Sequence, residues 1–274
     1  MKQENKAGQV ILVTGVSSGF GRSMACALAA AGHRVYGVSR RELRDPELSR
    51  ALAGYIQGDL CQMETAERAV AETLAAEGRI DVLINDAGGG IGGALEDTDD
   101  EQLHRLMELN FFAMARMCRA ALPVMRRQGR GKIINLSSLG GLVGLPFQGA
   151  YSASKYAIEG YSEALRCEAA PFGVSVVLVE PGDFRTGFTG SRRIVGEGSD
   201  YSALCQRAIR RIEKDETGGS DPAVLARLMV ALVDREHPRL RYTVGGMGQR
   251  LLIKSRRLMG DRLFLFLLRK YYMG

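Results

Sequence analysis

The sequence contains no tryptophan, and its few histidines and its odd number of cysteines are scattered along the chain. These residues are His33, His104, His237, Cys26, Cys61, Cys118, Cys167 and Cys205. Their positions show no recognisable metal-ligand spacing, so we expect no bound metal ion. Because the count is odd and no C-x-x-C pair occurs, we do not expect a disulfide framework.

Long apolar runs and known signal or phosphate-loop patterns are also absent. No run of 18 apolar residues occurs, so we expect no membrane-spanning helix. Residues 1–9 are polar and charged, unlike the apolar centre of a secretory signal. The G-x-x-x-x-G-K-[ST] loop of P-loop NTPases does not occur. We therefore expect a soluble, cytoplasmic protein.

Positive charge is concentrated at one end of the chain. The net charge is +6, and residues 249–274 carry seven cations against one anion, Asp261. The cations are Arg250, Lys254, Arg256, Arg257, Arg262, Arg269 and Lys270. The rest of the chain is neutral overall, so we expect no nucleic-acid partner in spite of the basic composition.

Short apolar runs alternate with helical segments along most of the sequence. The predicted strands are residues 10–14, 34–38, 55–59, 80–84, 131–136, 174–179 and 240–244. The predicted helices are residues 22–31, 61–77, 99–126, 151–169, 201–214 and 222–233. Such alternation predicts an α/β fold with one doubly wound, Rossmann-type parallel sheet and helices on both faces. Without a linker or repeat, residues 1–274 are expected to form a single domain.

Two segments depart from the alternation. Residues 183–220 are glycine-rich and longer than an ordinary connection, which is typical of a lid over a binding site. This lid combines Phe184, Phe188, Ile194 and Val195 with the arginines at 185, 192 and 193, a mixture that suits an apolar substrate with an acidic end. Residues 249–274 form a tail in which basic and apolar residues mix.

A glycine-rich turn follows the first predicted strand and begins the first predicted helix. Glycines there let a phosphate approach backbone N–H groups at the positive end of a helix. An ordinary strand-to-helix turn is the alternative. The residues that we expect to contact a cofactor here are Gly15, Ser17, Ser18, Gly19, Phe20 and Gly21.

The spacing T-G-x-x-x-G-x-G resembles the short-chain dehydrogenase/reductase family, and further motifs extend the resemblance to about Thr186. In this sequence they are Asp59-Leu60, Asn85-Asp86-Ala87-Gly88, Asn110, Ser138, Tyr151 with Lys155, and Pro181-Gly182 with Thr186. The family usually has a second asparagine where this chain has Asp86. An aspartate keeps an acceptor there but lacks the amide donors, which affects local tethering of the sheet more than cofactor binding.

The resemblance implies an oxidoreductase that transfers hydride between a nicotinamide and a carbonyl or secondary alcohol. Tyr151 is implied to be the proton donor or acceptor, Ser138 to hold the carbonyl oxygen, and Asn110 to hold a relay water. Lys155 is implied to bind the nicotinamide ribose. Tyr151 and Lys155 are four residues apart and share one face of a helix, so the ammonium is expected to lower the pKa of the phenol. A polar core residue is the alternative for Asn110.

The end of the second strand predicts the type of cofactor. Ser39 and Arg40 stand where members that prefer NAD carry an acid for the ribose 2′-hydroxyl. A guanidinium suits a 2′-phosphate, which predicts NADP(H). The alternative is that Arg40 and Arg41 are solvated loop residues.

Several functions remain open within this fold. The expected substrate is small and apolar: steroid-like, retinoid-like or acyl-like. The C-terminal sequence resembles the hydroxysteroid/retinol branch more than the 3-oxoacyl branch. The alternatives are a 3-oxoacyl or general aldehyde/ketone reductase and a catalytically silent NADP-binding regulator.

The tail has three possible positions. It can pack on a second subunit, since homo-oligomers are common in this family. It can also lie on an anionic membrane surface, which would make the protein peripheral, or close over its own substrate cleft. Packing against protein is favoured over membrane contact, because Gly260 and the continuous apolar run 263–268 spoil a clean amphipathic stripe.

Overall fold

The computed structural model describes residues 8–274. The polar segment at 1–7 lies outside the described residues, as do the side chains at 252, 254, 257 and 258 in the tail. Within the described part of the chain, none of the helices has the length and apolar character needed to cross a bilayer.

A seven-stranded parallel sheet forms the centre of the molecule, as the sequence predicts. Its strands are β1 (Val10–Thr14), β2 (Arg34–Ser39), β3 (Gly54–Gln57), β4 (Val82–Asn85), β6 (Gly131–Leu136), β7 (Val174–Pro181) and β9 (Arg241–Val244). They lie in the order β3-β2-β1-β4-β6-β7-β9. The order reverses between β1 and β4, and ligands bind at such a point on the carboxyl edge of an open sheet.

Helices cover both faces of the sheet. Their bounds are α1 (Gly19–Ala30), α2 (Pro46–Ala51), α3 (Met63–Glu77), α4 (Asp100–Met107), α5 (Ala113–Gln128), α6 (Gly149–Ala169), α7 (Phe188–Ser191), α8 (Ser202–Thr217), α9 (Pro222–Asp234), α10 (Met247–Met259) and α11 (Asp261–Met273). Buried side chains of α3, α5 and α6 form the core on one face. Those of α1, α2 and α9 form the core on the other. The prediction of a doubly wound sheet is confirmed.

The helices differ from the prediction over residues 99–126 and in α2, α7, α10 and α11, which the prediction does not include. The long helix predicted over residues 99–126 is α4 and α5, joined by one turn of π-helix at Glu108–Phe112. The short helix α2 was not predicted, although its sequence carries a start signal. Asp45 accepts hydrogen bonds from the N–H groups of Glu47 and Leu48, and Pro46 occupies the first helical position.

The lid and the tail both pack beside the carboxyl edge of the sheet. In the lid, strand β8 (Arg193–Ile194) pairs with β5 (Ile91–Gly92), and α8 follows. In the tail, α11 packs on α8, and its residues Phe264 and Leu268 are buried with Val143. Residues of the tail thus lie over the chain's own cleft, while its contact with a second subunit or a membrane stays a prediction.

Candidate active site

The turn after β1 has the shape that a bound phosphate requires. Gly15 and Gly19 have φ of 78° and 57°, a region that side chains rarely adopt. A Cβ on Gly15 would lie 2.9 Å from the backbone nitrogen of Ala87. The N-terminus of α1 has no side-chain cap and no acid in its first turn. The N–H groups of Gly19 and Phe20 at this end therefore suit the pyrophosphate of a dinucleotide.

Basic residues lie beside this turn at the end of β2. Arg40 is exposed and lines the cavity described below, as does Arg41. Arg41 donates hydrogen bonds to the hydroxyls of Ser17 (2.9 Å) and Ser18 (2.7 Å). The Ser39 hydroxyl lies 2.7 Å from the phenol of a neighbouring tyrosine, Tyr55. The guanidiniums of Arg40 and Arg41 thus lie next to the expected ribose position. The sequence predicted a cofactor contact for Arg40 only.

The turn after β4 is tied to β1 through the Thr14 hydroxyl. This oxygen accepts hydrogen bonds from the N–H groups of Asp86 (3.0 Å) and Ala87 (3.1 Å). The Asp86 carboxylate also accepts from the N–H of Gly21. Burial raises the pKa of Asp86 to about 7, against the opposing charge of Lys155. The contact to Thr14 uses backbone donors, so an aspartate at position 86 leaves this tether intact.

Asn85 and Asn110 are buried and bonded to the protein itself. Asn85 donates to Asn135 at 2.8 Å. Asn110 lies in the π-helical turn, where its oxygen accepts from the N–H of Gly89 (2.8 Å) and its amide donates to the Ser154 hydroxyl (2.9 Å). A π-helical turn often accompanies a functional site. These contacts hold the β4 turn against α6, which is the polar core role considered above; the relay role stays a prediction.

Tyr151, Ser138 and Lys155 come together where β6 ends against α6. Ser138 hydrogen-bonds the phenol of Tyr151, which lowers its pKa, but burial is the larger effect and raises the pKa to about 12. The Lys155 ammonium lies 5.8 Å from the centre of the Tyr151 ring and donates to the carbonyl of Leu136 at 3.0 Å. Burial lowers the pKa of Lys155 to about 8, and the charges of Asp86 and Glu159 oppose it.

Burial and the Ser138 hydroxyl are the main influences on the pKa of Tyr151, and a lowering of this pKa by Lys155 stays a prediction. The ammonium interacts with the backbone of β6 and with Asp86, and burial dominates the environment of the phenol. A tyrosine with a raised pKa is protonated at neutral pH. It is ready to donate a proton.

One cavity of about 1100 Å³ connects these groups. It exceeds the roughly 300–1,000 Å³ of a single small-molecule site, as a dinucleotide plus a substrate requires. Most predicted site residues line it: Gly15, Ser17, Ser18, Gly19, Phe20, Ser39, Arg40, Asp59, Leu60, Asp86, Ala87, Gly88, Ser138, Tyr151, Lys155, Pro181, Gly182 and Thr186. Gly21, Asn85 and Asn110 lie behind its wall.

The rest of the cavity wall comes from the lid and the tail, and of its residues the sequence predicted Phe184 and Phe188 in the lid. The apolar residues there include Phe184, Phe188, Ile212, Ile253, Phe264, Leu267, Leu268, Tyr271 and Tyr272. Three carboxylates, Asp183, Asp215 and Glu216, also line the cavity. Burial and the two other acids raise the pKa of Asp183 to about 6. No sequence motif marks these positions. The only signal is that the lining residues within α8, and those within α11, are spaced so that they fall on one face of their helix.

Two of the three lid arginines are paired with acids, and the third, Arg193, is exposed and does not line the cavity. Arg192 is buried and paired with Glu216, and its guanidinium lies 5.7 Å from the centre of the Phe188 ring. Arg185 lies 3.6 Å from Asp221. The charged residues that line the cavity from the lid are the acids Asp183, Asp215 and Glu216. Among the described residues, no group of three or more His, Cys, Asp and Glu side chains is placed to hold a metal ion.

Comparisons with known proteins agree with this geometry. The model of the short chain dehydrogenase family matches residues 9–194. The chain is 45% identical over 267 residues to 3-ketodihydrosphingosine reductase of Bacteroides thetaiotaomicron, covering 96% of this chain and 98% of that protein. It is 33% identical over 253 residues to human 17-beta-hydroxysteroid dehydrogenase type 1, covering 86% and 77%. The crystal structure of a short-chain dehydrogenase from Streptomyces avermitilis has a TM-score of 0.84 at 38% identity, with 97% of each chain covered.

Proposed function

The chain belongs to the short-chain dehydrogenase/reductase family, and we propose that it is an NADP(H)-dependent reductase of long-chain amino ketones of the sphingoid type. As a member of the family it is an oxidoreductase that acts on carbonyl and alcohol groups. The observation that carries the proposal is the composition of the cavity. The catalytic Tyr151 opens into a space with an apolar wall from α11 and carboxylates from the lid.

The nicotinamide cofactor fits the described residues. The Gly15 turn and the uncapped start of α1 would hold its phosphates, and Asp59 would hold the adenine. Arg40 and Arg41 would hold a 2′-phosphate, and no acid lines the cavity at the end of β2 among the described residues. These two guanidiniums support NADP(H) over NAD(H).

The chemistry of this chain's own residues is a proton transfer. A bound nicotinamide supplies or accepts the hydride. Tyr151 donates a proton to the developing alkoxide, and Ser138 hydrogen-bonds the same oxygen. Because burial raises the pKa of Tyr151 to about 12, the phenol is in its donor form at neutral pH. Carbonyl reduction requires this protonated form, whereas oxidation of an alcohol requires the ionised phenol.

The shape and charge of the cavity support the substrate class. A 3-keto sphingoid base has a ketone, an adjacent amine and one long alkyl chain. The apolar residues of α11 suit the alkyl chain. Asp183 accepts from the neutral Gln249 and suits an ammonium near the ketone, whereas Glu216 is already paired with Arg192 and Asp215 with Arg211. A charged amine near Asp183 would favour the ionised carboxylate, against the burial and the neighbouring acids that raise its pKa. Steroids and 3-oxoacyl thioesters lack such an amine.

The substrate experiment compares two ketones of equal chain length. We expect purified protein to reduce 3-ketodihydrosphingosine with NADPH, followed by loss of absorbance at the nicotinamide band. The matched ketone without the amine should have a kcat/KM at least about tenfold lower, because Asp183 then gains no ammonium partner. Equal values for the two would contradict amine recognition. Preference for a steroid or an acyl thioester would favour the other branches, and no turnover of any ketone would favour a silent regulator.

The cofactor experiment exchanges charge at the end of β2. We expect NADPH to be preferred over NADH by at least about tenfold in kcat/KM, since a buried or clamped phosphate contributes several charge-assisted hydrogen bonds. The double change Ser39→Asp with Arg40→Leu should reverse that preference. The matched change Arg44→Leu, at an exposed position outside the cavity, should not. Equal use of both cofactors by the unchanged protein would contradict the assignment.

We also propose that the protein is a homo-oligomer located in the cytoplasm. Family resemblance supports the first statement, and the sequence patterns described above support the second. Light scattering coupled to size exclusion measures the mass of the particle. Cell fractionation measures the location.

A further inference from the structure

Helix α11 has an apolar face that the other described residues do not cover. Phe264 and Leu268 are buried, at 2% and 6% exposure, and fix one side of the helix against the protein. Leu263, Phe266 and Leu267 are 49%, 52% and 37% exposed. Their spacing of three and four residues places them together on another side of the helix. Bulky apolar residues at this density are unusual on a surface that faces water.

Cations lie on this outer face and along one of its margins. Arg262, Arg269 and Lys270 are all exposed, and the only acid of α11 is Asp261. At 100° per residue, Lys270 lies on the outer face itself, and the two arginines lie together along one margin. Asp261 falls on the opposite side, near the buried Leu268. The outer face is therefore apolar with a cationic border, which matches the apolar interior and anionic headgroups of a lipid surface.

A second copy of the chain matches this surface less well. In a symmetric dimer the same patch meets itself, so the cations of one copy would face those of the other. Like charges across an interface oppose association. The chain outside residues 249–274 is neutral overall and supplies no compensating excess of acid.

The outer face is continuous with the catalytic cavity. Leu267 and Tyr271 are 37% and 48% exposed, and both also line the cavity that holds Tyr151. Leu267 belongs to the outer face as well. The apolar surface and the apolar part of the cavity thus share Leu267.

We propose that α11 docks the protein on an anionic lipid bilayer, with Leu263, Phe266 and Leu267 in the apolar layer and the cations at the headgroups. The cavity beside Leu267 then opens at the membrane surface, where a long-chain substrate resides. Docking does not depend on the substrate, whereas access of substrate from the bilayer rests on the proposed function. No helix crosses the membrane in this arrangement.

Vesicle binding tests the docking without any turnover. The full chain is sedimented with vesicles of phosphatidylcholine containing about a third phosphatidylglycerol, at low salt. We expect most of the protein in the pellet, and most in the supernatant with pure phosphatidylcholine or at high salt. The triple change Arg262→Glu, Arg269→Glu, Lys270→Glu should weaken partitioning roughly a hundredfold, since each basic residue near a bilayer contributes about fivefold.

Two further variants separate charge from apolar contact. Leu263→Glu with Phe266→Glu should abolish pelleting, while the matched triple change Arg50→Glu, Arg119→Glu, Arg227→Glu, at exposed sites on other helices, should have a much smaller effect. Retained fluorescence of bound NADPH shows that each variant is folded. None of these residues lines the cavity, so reduction of a short soluble ketone should stay within about twofold.

Three results would overturn the proposal. The first is full-length protein that stays in the supernatant with both kinds of vesicle. The second is an equal loss of binding for the two triple variants. The third is a Leu263→Glu, Phe266→Glu variant that binds vesicles normally but has half the particle mass, which would assign the face to a second copy. Normal docking with no reduction of sphingoid ketones would instead contradict the proposed function alone.

Discussion

Protonation at Tyr151 is controlled mainly by the absence of water around the phenol. The side chain is 8% exposed, and burial raises its pKa more than the Ser138 hydroxyl lowers it. Lys155 interacts with the Leu136 carbonyl and with Asp86. The tyrosine therefore holds its proton over the physiological range and releases it only at high pH.

Replacing Tyr151 with phenylalanine tests this role directly. We expect kcat for ketone reduction to fall at least about a hundredfold, because only the transferable proton is lost. Binding of NADPH, measured by titration of its fluorescence, should change less than about twofold. In the unchanged protein, reduction should decline only at alkaline pH, as the phenol ionises. A variant with more than a few per cent of normal activity would show that the donor lies elsewhere.

Asp86 makes stability depend on pH. Its folded pKa of about 7 lies above the usual value of 3.8, so the folded state binds more protons between these values. The contribution of Asp86 to the free energy of unfolding is therefore fully present below about pH 4. It decreases as the pH rises and is lost above about pH 7. Asp86→Asn should remove that loss and raise the urea midpoint more at pH 8 than at pH 5.

The expected difference for Asp86→Asn corresponds to at least about 1 kcal/mol, since one pKa unit is worth about 1.4 kcal/mol. Asp200→Asn, at an exposed site in the lid, is the matched control and should show no such trend. If the variant and the unchanged protein had the same pH dependence, ionisation of the Asp86 carboxyl would not lower the stability of the fold.

At the scale of elements, a buried lysine joins the sheet to α9. The Lys132 ammonium on β6 donates to the carbonyls of Leu232, Val233 and Arg235, each at 2.7 Å. These carbonyls lie at the negative end of α9, where a cation is favoured. The contact fixes the helix that packs against α1 beneath the cofactor turn.

Lys132→Met should therefore lower the free energy of unfolding by roughly 2–4 kcal/mol, because buried carbonyls lose a charged donor. Urea unfolding followed by circular dichroism measures it. Lys214→Met, at an exposed position on α8, should change stability by less than about 0.5 kcal/mol. A loss of less than about 0.5 kcal/mol in Lys132→Met as well would mean that the contacts of the buried ammonium do not stabilise the fold.

The cavity wall in α11 gives a prediction about chain length. Leu267 lines the cavity, whereas Leu263 on the same helix does not. Leu267→Trp adds volume where the alkyl chain is expected, so KM for long-chain ketones should rise about tenfold or more and short ketones should be little affected. Leu263→Trp is the matched control. A uniform effect on all chain lengths would show that the wall does not contact the substrate.

The sequence predicts elements best where periodicity and packing agree. The strand runs at 10–14 and 131–136 and the helix at 222–233 match β1, β6 and α9 closely. Periodicity cannot reveal the π-helical turn at Glu108–Phe112, because the break depends on contacts of Asn110 with Gly89 and Ser154, which are distant in sequence. Helix α2 was predictable from Asp45 and Pro46, since its cap is local.

At the scale of the whole molecule, the two parts of the cavity differ in how much the sequence reveals. Cofactor contacts depend on backbone shape, and that requires particular residues at fixed spacing, such as Gly15 after β1 or Tyr151 and Lys155 on α6. The substrate wall needs only suitable size and polarity. Asp215 and Leu267 therefore carry no motif, and their meeting in one cavity depends on how α8 and α11 pack.

The arrangement of these parts along the chain also affects how the enzyme can diverge. Every predicted cofactor and catalytic residue lies at or before Thr186, and the lid and tail that complete the cavity lie mainly after it. A single recombination between two related genes near this position would join one protein's redox machinery to another's substrate wall. New substrate ranges can then be inherited in one step, without new hydride-transfer chemistry having to evolve.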